Sequence, residues 1–125
     1  MSPDKVLLTV RPVSAVVSII DVQGDMGGCA EQALQDAYSR AAELNAAVVI
    51  LNFSGLEYLN ARSISLLIRL LIQSRRQRRR ILAYRLSPHY RYLLNLTHLD
   101  QFIGISETEA EALDVAHVLW ATTEP

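Results

Sequence analysis

The chain has 125 residues, half of them apolar, the usual size for one domain with a real core, so residues 1–125 are expected to form a single unit. No window reaches the ~18 apolar residues of a membrane span, the start shows no basic-then-apolar leader, and one cysteine, Cys29, excludes an internal disulfide; a cytoplasmic protein is expected. The formal net charge of −1 hides an asymmetry, because nine of the twelve basic residues lie between Tyr58 and Leu99, a window without Asp or Glu. Such polarity can steer an acidic partner or drive head-to-tail self-association into a homo-oligomer.

Val6 to Val10 and Val13 to Val22 read as two strands of a hairpin, with Arg11–Pro12 as the turn. Gly24, Gly27 and Gly28 follow as a flexible turn, and the flanking Asp21 and Asp25 are expected to be solvated. Ala30, Ala33, Leu34, Ala37, Tyr38 and Ala41 recur at helical spacing, which predicts a helix whose small-residue stripe packs closely on the sheet and which ends near Leu44–Asn45. Cys29, just before it, is expected to be a small, at least half-buried residue.

Val48, Val49, Ile50 and Leu51 form an unbroken, mostly β-branched run, which suits a central strand covered on both faces. Asn52 and Ser54–Gly55 are expected to stop it. Asn60 can accept a hydrogen bond from a backbone N–H of the next helix, making it the N-cap with Ala61 at the first helical position. That helix, Ala61 to about Gln77, confines its polar residues to Arg62, Ser65, Arg69, Gln73 and Arg76, about 80° of arc at 100° per residue. So narrow a stripe means burial on more than one side, or a face left for a partner.

Arg80 to Leu86 is a fourth strand, and Ser87–Pro88 starts a short helix with a hydroxyl N-cap and proline in first position. Ser106 and Glu109 read as the capping box of a last helix carrying Ala110, Leu113, His117 and Trp120, with residues 121–125 frayed. The element order is that of an α/β fold: a mixed sheet of about four strands, mostly parallel after the first hairpin, with about four helices mainly on one side.

The run L-N-F-S-G-L-E-Y-L-N-A-R-S-I-S-L-L resembles the centre of a STAS domain (sulfate transporter and anti-sigma factor antagonist), whose usual form is close to D-L-S-G-V-x-F-I-D-S-S-G-L-x-x-L. In that family the Asp–Ser pair caps the helix, and the Ser or Thr is phosphorylated by a partner anti-sigma kinase. Position by position, Asn52 and Asn60 stand where Asp is usual, Ala61 where the phospho-acceptor is usual, Arg62 at the next small position and Ser63 at the Gly. I-I-D-V-Q-G-D-M resembles the family's second strand and Gly turn, and the stretch from Arg75 to Ile103 its last strand and third helix.

The resemblance implies a STAS fold and a regulatory protein-interaction module of the anti-anti-sigma type. Its partner would be an anti-sigma factor kinase or another STAS protein. The implied docking surface comprises Gly24, Asp25 and Met26, the loop Ser54 to Asn60 with Tyr58, and the first turns of the helix with Arg62, Ser63, Ser65 and Arg69, exposed beside the apolar Met26 and Tyr58. Ala61 has no hydroxyl, so the usual switch site is not phosphorylatable, and Ser63 and Ser65 are the nearest substitutes. A structural subunit of a signalling or transporter-associated assembly is an alternative reading, and a nucleotide- or lipid-binding module a weaker one.

Enzymatic constellations are missing. His89, His98 and His117 show no metal-ligand spacing with each other or with Cys29, and there is no G-x-S-x-G elbow, Gly-rich phosphate loop or purposeful acid pair, so no catalysis, metal or cofactor is expected. Five arginines in six positions, Arg75 to Arg80 with Gln77 interposed, have no neighbouring aromatic platform or recognition helix in the sequence. They read as a solvated helix end, and argue against nucleic acid as a partner.

Overall fold

The structure, a computed structural model, describes residues 6–27 and 30–123. Cys29, Gly28 and the last two residues, on which expectations of burial, turn and fraying fell, lie outside the described residues. A five-stranded sheet in the order β1-β2-β3-β4-β5 is built from β1 (Val6–Pro12), β2 (Val17–Asp25), β3 (Val48–Tyr58), β4 (Arg80–Tyr84) and β5 (Gly104–Ser106). Its helices are α1 (Glu31–Glu43), α2 (Ala61–Arg76), α3 (Pro88–Leu96) and α4 (Glu109–Thr123). β1 is antiparallel to β2, and every later pairing is parallel.

The strands follow one another across the sheet in sequence order, so successive right-handed crossovers place α1, α2 and α3 on the same face. There Leu34, Tyr38, Leu67, Leu70 and Leu94 pack on Ile20, Val22, Val49, Leu51, Ile81 and Ala83. α4 is not a crossover and covers the other face, where Ala112 and Ala116 meet Val17, Ile19, Val48, Ile50, Leu82 and Tyr84. Alternate residues of β3 thus enter opposite cores, which is why its sequence is apolar without a break.

Four local expectations are corrected. The hairpin turn is residues 13–16, where Val13 and Ser14 N–H donate to Val17 O and the Ser14 hydroxyl accepts from Val16 and Val17, while Arg11 and Pro12 pair within the edge strand β1. β3 runs on through Asn52 and Gly55 to Tyr58, with register shifts that give it extra residues against β2. At Gly55 a Cβ would come within 2.9 Å of Gln23 Cγ and 3.1 Å of Val22 O, so the missing side chain is what lets the irregular pairing close. β5 has three residues, too few to leave a periodic signal. Finally, the S/T-x-x-E spacing occurs twice at the start of α4; Ser106 is held in β5, and Thr108 Oγ1 accepts from Glu111 N at 3.2 Å instead, with helix continuing through residues 121–123.

The helices on the first face end alike. After α1 and α2 the chain enters the left-handed region at Asn45 (φ 65°) and Arg78 (φ 60°), and paired backbone bonds close each end: Ala46 N to Ala41 O with Asn45 N to Ala42 O, and Arg79 N to Ser74 O with Arg78 N to Arg75 O. This is the Schellman arrangement, usually built on glycine, and α3 leaves through His98 at φ 60°.

Candidate functional site

The extra residues of β3 bring Tyr58 opposite Asp25, where Met26 N–H donates to Tyr58 O at 3.0 Å. Asp25 Oδ1 accepts from Gly27 N at 2.6 Å and closes the turn. Gly27 lies under the Tyr58 ring: a Cβ there would stand 2.6 Å from Tyr58 Cε2 and 2.8 Å from Asn60 Nδ2, so only glycine permits this approach. Gly24, at φ 97°, supplies the other bend.

Asn60 is the N-cap of α2, in extended conformation, with Oδ1 accepting from Ser63 N at 3.1 Å. Ser63 Oγ in turn accepts from Asn60 N at 3.2 Å, a reciprocal capping box with serine in place of the usual acid, and donates to Met26 O at 2.8 Å. The cap, the β2–α1 turn and the end of β3 are therefore one hydrogen-bonded unit. On its outer side Ala61 and Arg62 are exposed.

The residues expected to form a docking surface divide here. Ser54, Tyr58, Arg62, Ser65 and Arg69 are exposed, and Gly24, Asp25 and Asn60 are half-buried. Met26 and Ser63 are not exposed as expected; both are 0% accessible, Met26 inside the core beneath α2 and Ser63 inside the cap. Ser65 Oγ donates to Ala61 O at 3.2 Å, and Arg69 reaches Glu31 of α1 at 2.9 Å. Sequence reasoning missed Ile68 and Ile72, 39% and 50% exposed, which continue the outer face of α2 beyond Ser65. Their i, i+3, i+4 and i+7 relation to Ser65 and Arg69 was the available signal, masked by counting only polar residues in the stripe.

A second polar cluster lies on the other face of the sheet. Asp21, Asn52 and Tyr84 pair in register across β2, β3 and β4, and Arg11 and Glu109 close over them. Arg11 Nε and Nη2 donate to Asp21 at 2.5 and 2.9 Å, Arg11 Nη2 also to Glu109 at 3.0 Å, Tyr84 Oη to Glu109 at 2.7 Å, and Asn52 Nδ2 to Asp21 Oδ1 at 2.7 Å. Asp21 is thus no solvated turn residue: it holds the Arg11 guanidinium that, together with Tyr84, ties Glu109 of α4 to the sheet. The Arg11 guanidinium holds its carboxyl below the usual range, against the opposing pull of burial, with Asn52 assisting. Hydrogen bonds from Tyr84 and then Arg11 lower Glu109 likewise, and burial, reinforced by Glu109, raises the Tyr84 phenol.

No three His, Cys, Asp or Glu residues among the described residues converge to hold a metal ion, and no helix among them is long and apolar enough to cross a membrane. A sheet with three crossover helices on one face and a fourth on the other, with a capped helix start beside a glycine turn, defines a small α/β domain. The STAS domain family matches residues 9–112, and the chain belongs to that family. Its fold is similar to an anti-sigma factor antagonist from Mycobacterium paratuberculosis (20% identity, 93% of this chain and 97% of that one, TM-score 0.79). It is also similar to the anti-sigma factor antagonist SpoIIAA in its unphosphorylated form (19%, 89% and 96%, TM-score 0.73) and to a Thermotoga maritima protein described as a putative anti-sigma factor antagonist (15%, 88% and 94%, TM-score 0.70). Among curated proteins none matches this chain.

Proposed function

We propose that this protein is a non-enzymatic regulator that binds a protein partner, in the manner of an anti-sigma factor antagonist, and that it lacks the family's phosphorylation switch. The observation that carries this reading is the start of α2. Ala61, with no hydroxyl, is exposed at the position where the resemblance puts the phospho-acceptor, while the nearest buried hydroxyl, Ser63, is committed to the cap and to Met26 O. A kinase seated over this helix end meets a methyl group and the fixed positive charge of Arg62. Phosphorylation there would add close to two negative charges at the first turn; this chain stays in the uncharged form.

The docking face runs from Ser54 and Tyr58 over Ala61 and Arg62 to Ser65, Ile68, Arg69 and Ile72. It joins an exposed aromatic and two exposed isoleucines to a pair of arginines, the mixture of apolar centre and charged rim that protein interfaces favour. The partner is an anti-sigma factor kinase or a second STAS protein.

The test has two arms. Candidate partners captured from native cells are purified, and binding is measured by calorimetry for Arg62→Glu and Ile68→Ser; each is expected to weaken it by about tenfold or more. The same partner is then offered ATP: the parent chain should take up no phosphate, and Ala61→Ser should gain it at residue 61. Undiminished binding in both variants would place the interface elsewhere, and phosphate on Ser65 of the parent would overturn the absence of a switch.

A further inference from the structure

We propose that the opposite end of α2 is a second docking surface, one that takes an acidic polypeptide segment carrying an apolar or aromatic side chain. It stands roughly 24 Å from Asn60, the length of the sixteen-residue helix. Arg75 lies in the last turn of α2, Arg78 follows in the left-handed position, Arg79 turns back to donate to Ala46 O and Ala42 O at 3.2 and 3.3 Å, and Arg80 opens β4. α4 crosses the other face of the sheet and ends beside them, so that these four arginines, Ala47 and Trp120 line one open cleft of about 460 Å³. The sequence separates Trp120 from the arginines by forty positions, and the fold brings it to them.

The uncompensated charge of the cleft points to an anionic occupant. None of Arg75, Arg78, Arg79 and Arg80 forms an ion pair among the described residues, which is also true of Arg40, Arg62, Arg76 and Arg85, but these four line one cleft. Four converging guanidinium groups repel one another until an anion enters, and the planar fork of arginine suits carboxylates bidentately.

Carboxylates are favoured over a nucleic acid by what adjoins the cleft. A neighbouring hollow shares Arg75, Arg79 and Arg80; Phe102, Val115 and Leu119 offer a seat for an apolar side chain there, and Asp100 and Gln101 also line it, a mixed wall that suits a peptide side chain better than a phosphodiester backbone. The Phe102 ring carries the Arg75 guanidinium 4.8 Å from its centroid, which holds that arginine between the hollow and the cleft. With a net charge of −1 the chain also has no overall field to hold a long polyanion. An adapter with two faces at the two ends of one helix can hold two proteins at once, and either face can fail without the other.

Fluorescence anisotropy with a labelled random copolymer of glutamate and tyrosine, at about 50 mM salt where surface charges are weakly screened, tests this directly. Binding should saturate, weaken as salt is added, and fall by about tenfold or more in the Arg78→Glu/Arg80→Glu double variant, whose exposed side chains leave the fold intact by circular dichroism. Trp120→Ala should weaken the copolymer more than it weakens poly-glutamate, and Arg62→Glu should leave binding unchanged. Absence of saturable binding, an equal loss in Arg62→Glu, or tighter binding of a single-stranded oligothymidylate than of the copolymer would each overturn the proposal.

Discussion

The Ser63 hydroxyl donates to the Met26 carbonyl at 2.8 Å, joining the first turn of α2 to the turn that leads into α1. Because Ser63 is fully buried and also receives Asn60 N–H, removing its hydroxyl strands two backbone groups at once. Ser63→Ala should therefore lower stability by about 1–3 kcal/mol in denaturant melts, and Asn60→Ala by about 0.5–2 kcal/mol. Asn60→Asp keeps the cap acceptor and adds a dipole term of ~0.3–1 kcal/mol while losing the long amide contact to Gly27 O, so it should match or exceed the parent. An unaffected Ser63→Ala variant would mean that water replaces the hydroxyl and that the joint is looser than its geometry.

Asn52→Asp is expected to be harmful, although Asp is the family's usual residue there. The Asn52 amide donates to Asp21 Oδ1 at 2.7 Å and its oxygen accepts from Ser54 N at 3.0 Å; a carboxylate can do only the second and would face the Asp21 charge. One of the two carboxyls should then titrate above its usual range, and stability at pH 7 should drop by roughly 1–3 kcal/mol, recovering in part toward pH 5. Thermal melts at the two pH values decide it; an equal loss at both would attribute the effect to packing instead.

Acid should loosen α4 before the rest of the fold. Asp21 and Glu109 have folded pKa values below their unfolded ones, so the stability they contribute is present above about pH 4–5 and is lost as the pH falls through the lowered folded values. Asp21 matters more, since Glu109 is more exposed and better screened. Melting temperatures followed from pH 7 down to about pH 3 should fall less steeply for Asp21→Asn than for the parent. Parallel curves would show that other carboxylates govern acid unfolding.

Arg78→Gly should stabilise the domain. An L-residue in the left-handed region costs roughly 1–2 kcal/mol, part of which glycine returns as unfolded-state entropy, leaving a gain of about 0.5–1 kcal/mol in urea midpoints. The same variant should bind the acidic copolymer more weakly. A destabilised Arg78→Gly chain would indicate that the Arg78 side chain itself supports the turn.

Much of the fold is legible in the chain because its signals are local. The unbroken apolar run at Val48–Leu51, the helical spacing from Ala30 to Ala41, Asn60 as a cap and Ser87–Pro88 as a helix start each depend on residues a few positions apart, and local backbone chemistry reads the same in any context. The same holds for Ala61, whose missing hydroxyl is a fact of composition. What the chain could not decide alone is what distant residues do to one another. The Ser63 hydroxyl can be buried because the Met26 carbonyl, thirty-seven positions away, accepts from it, and Asp21 became structural only once Arg11 and Asn52 converged on it and Arg11 reached on to Glu109. The arginines after α2 look merely solvated until the parallel sheet and the return of α4 set Phe102 and Trp120 beside them. Burial and charge pairing are sums over neighbours in space, and those neighbours are chosen by the order of the strands.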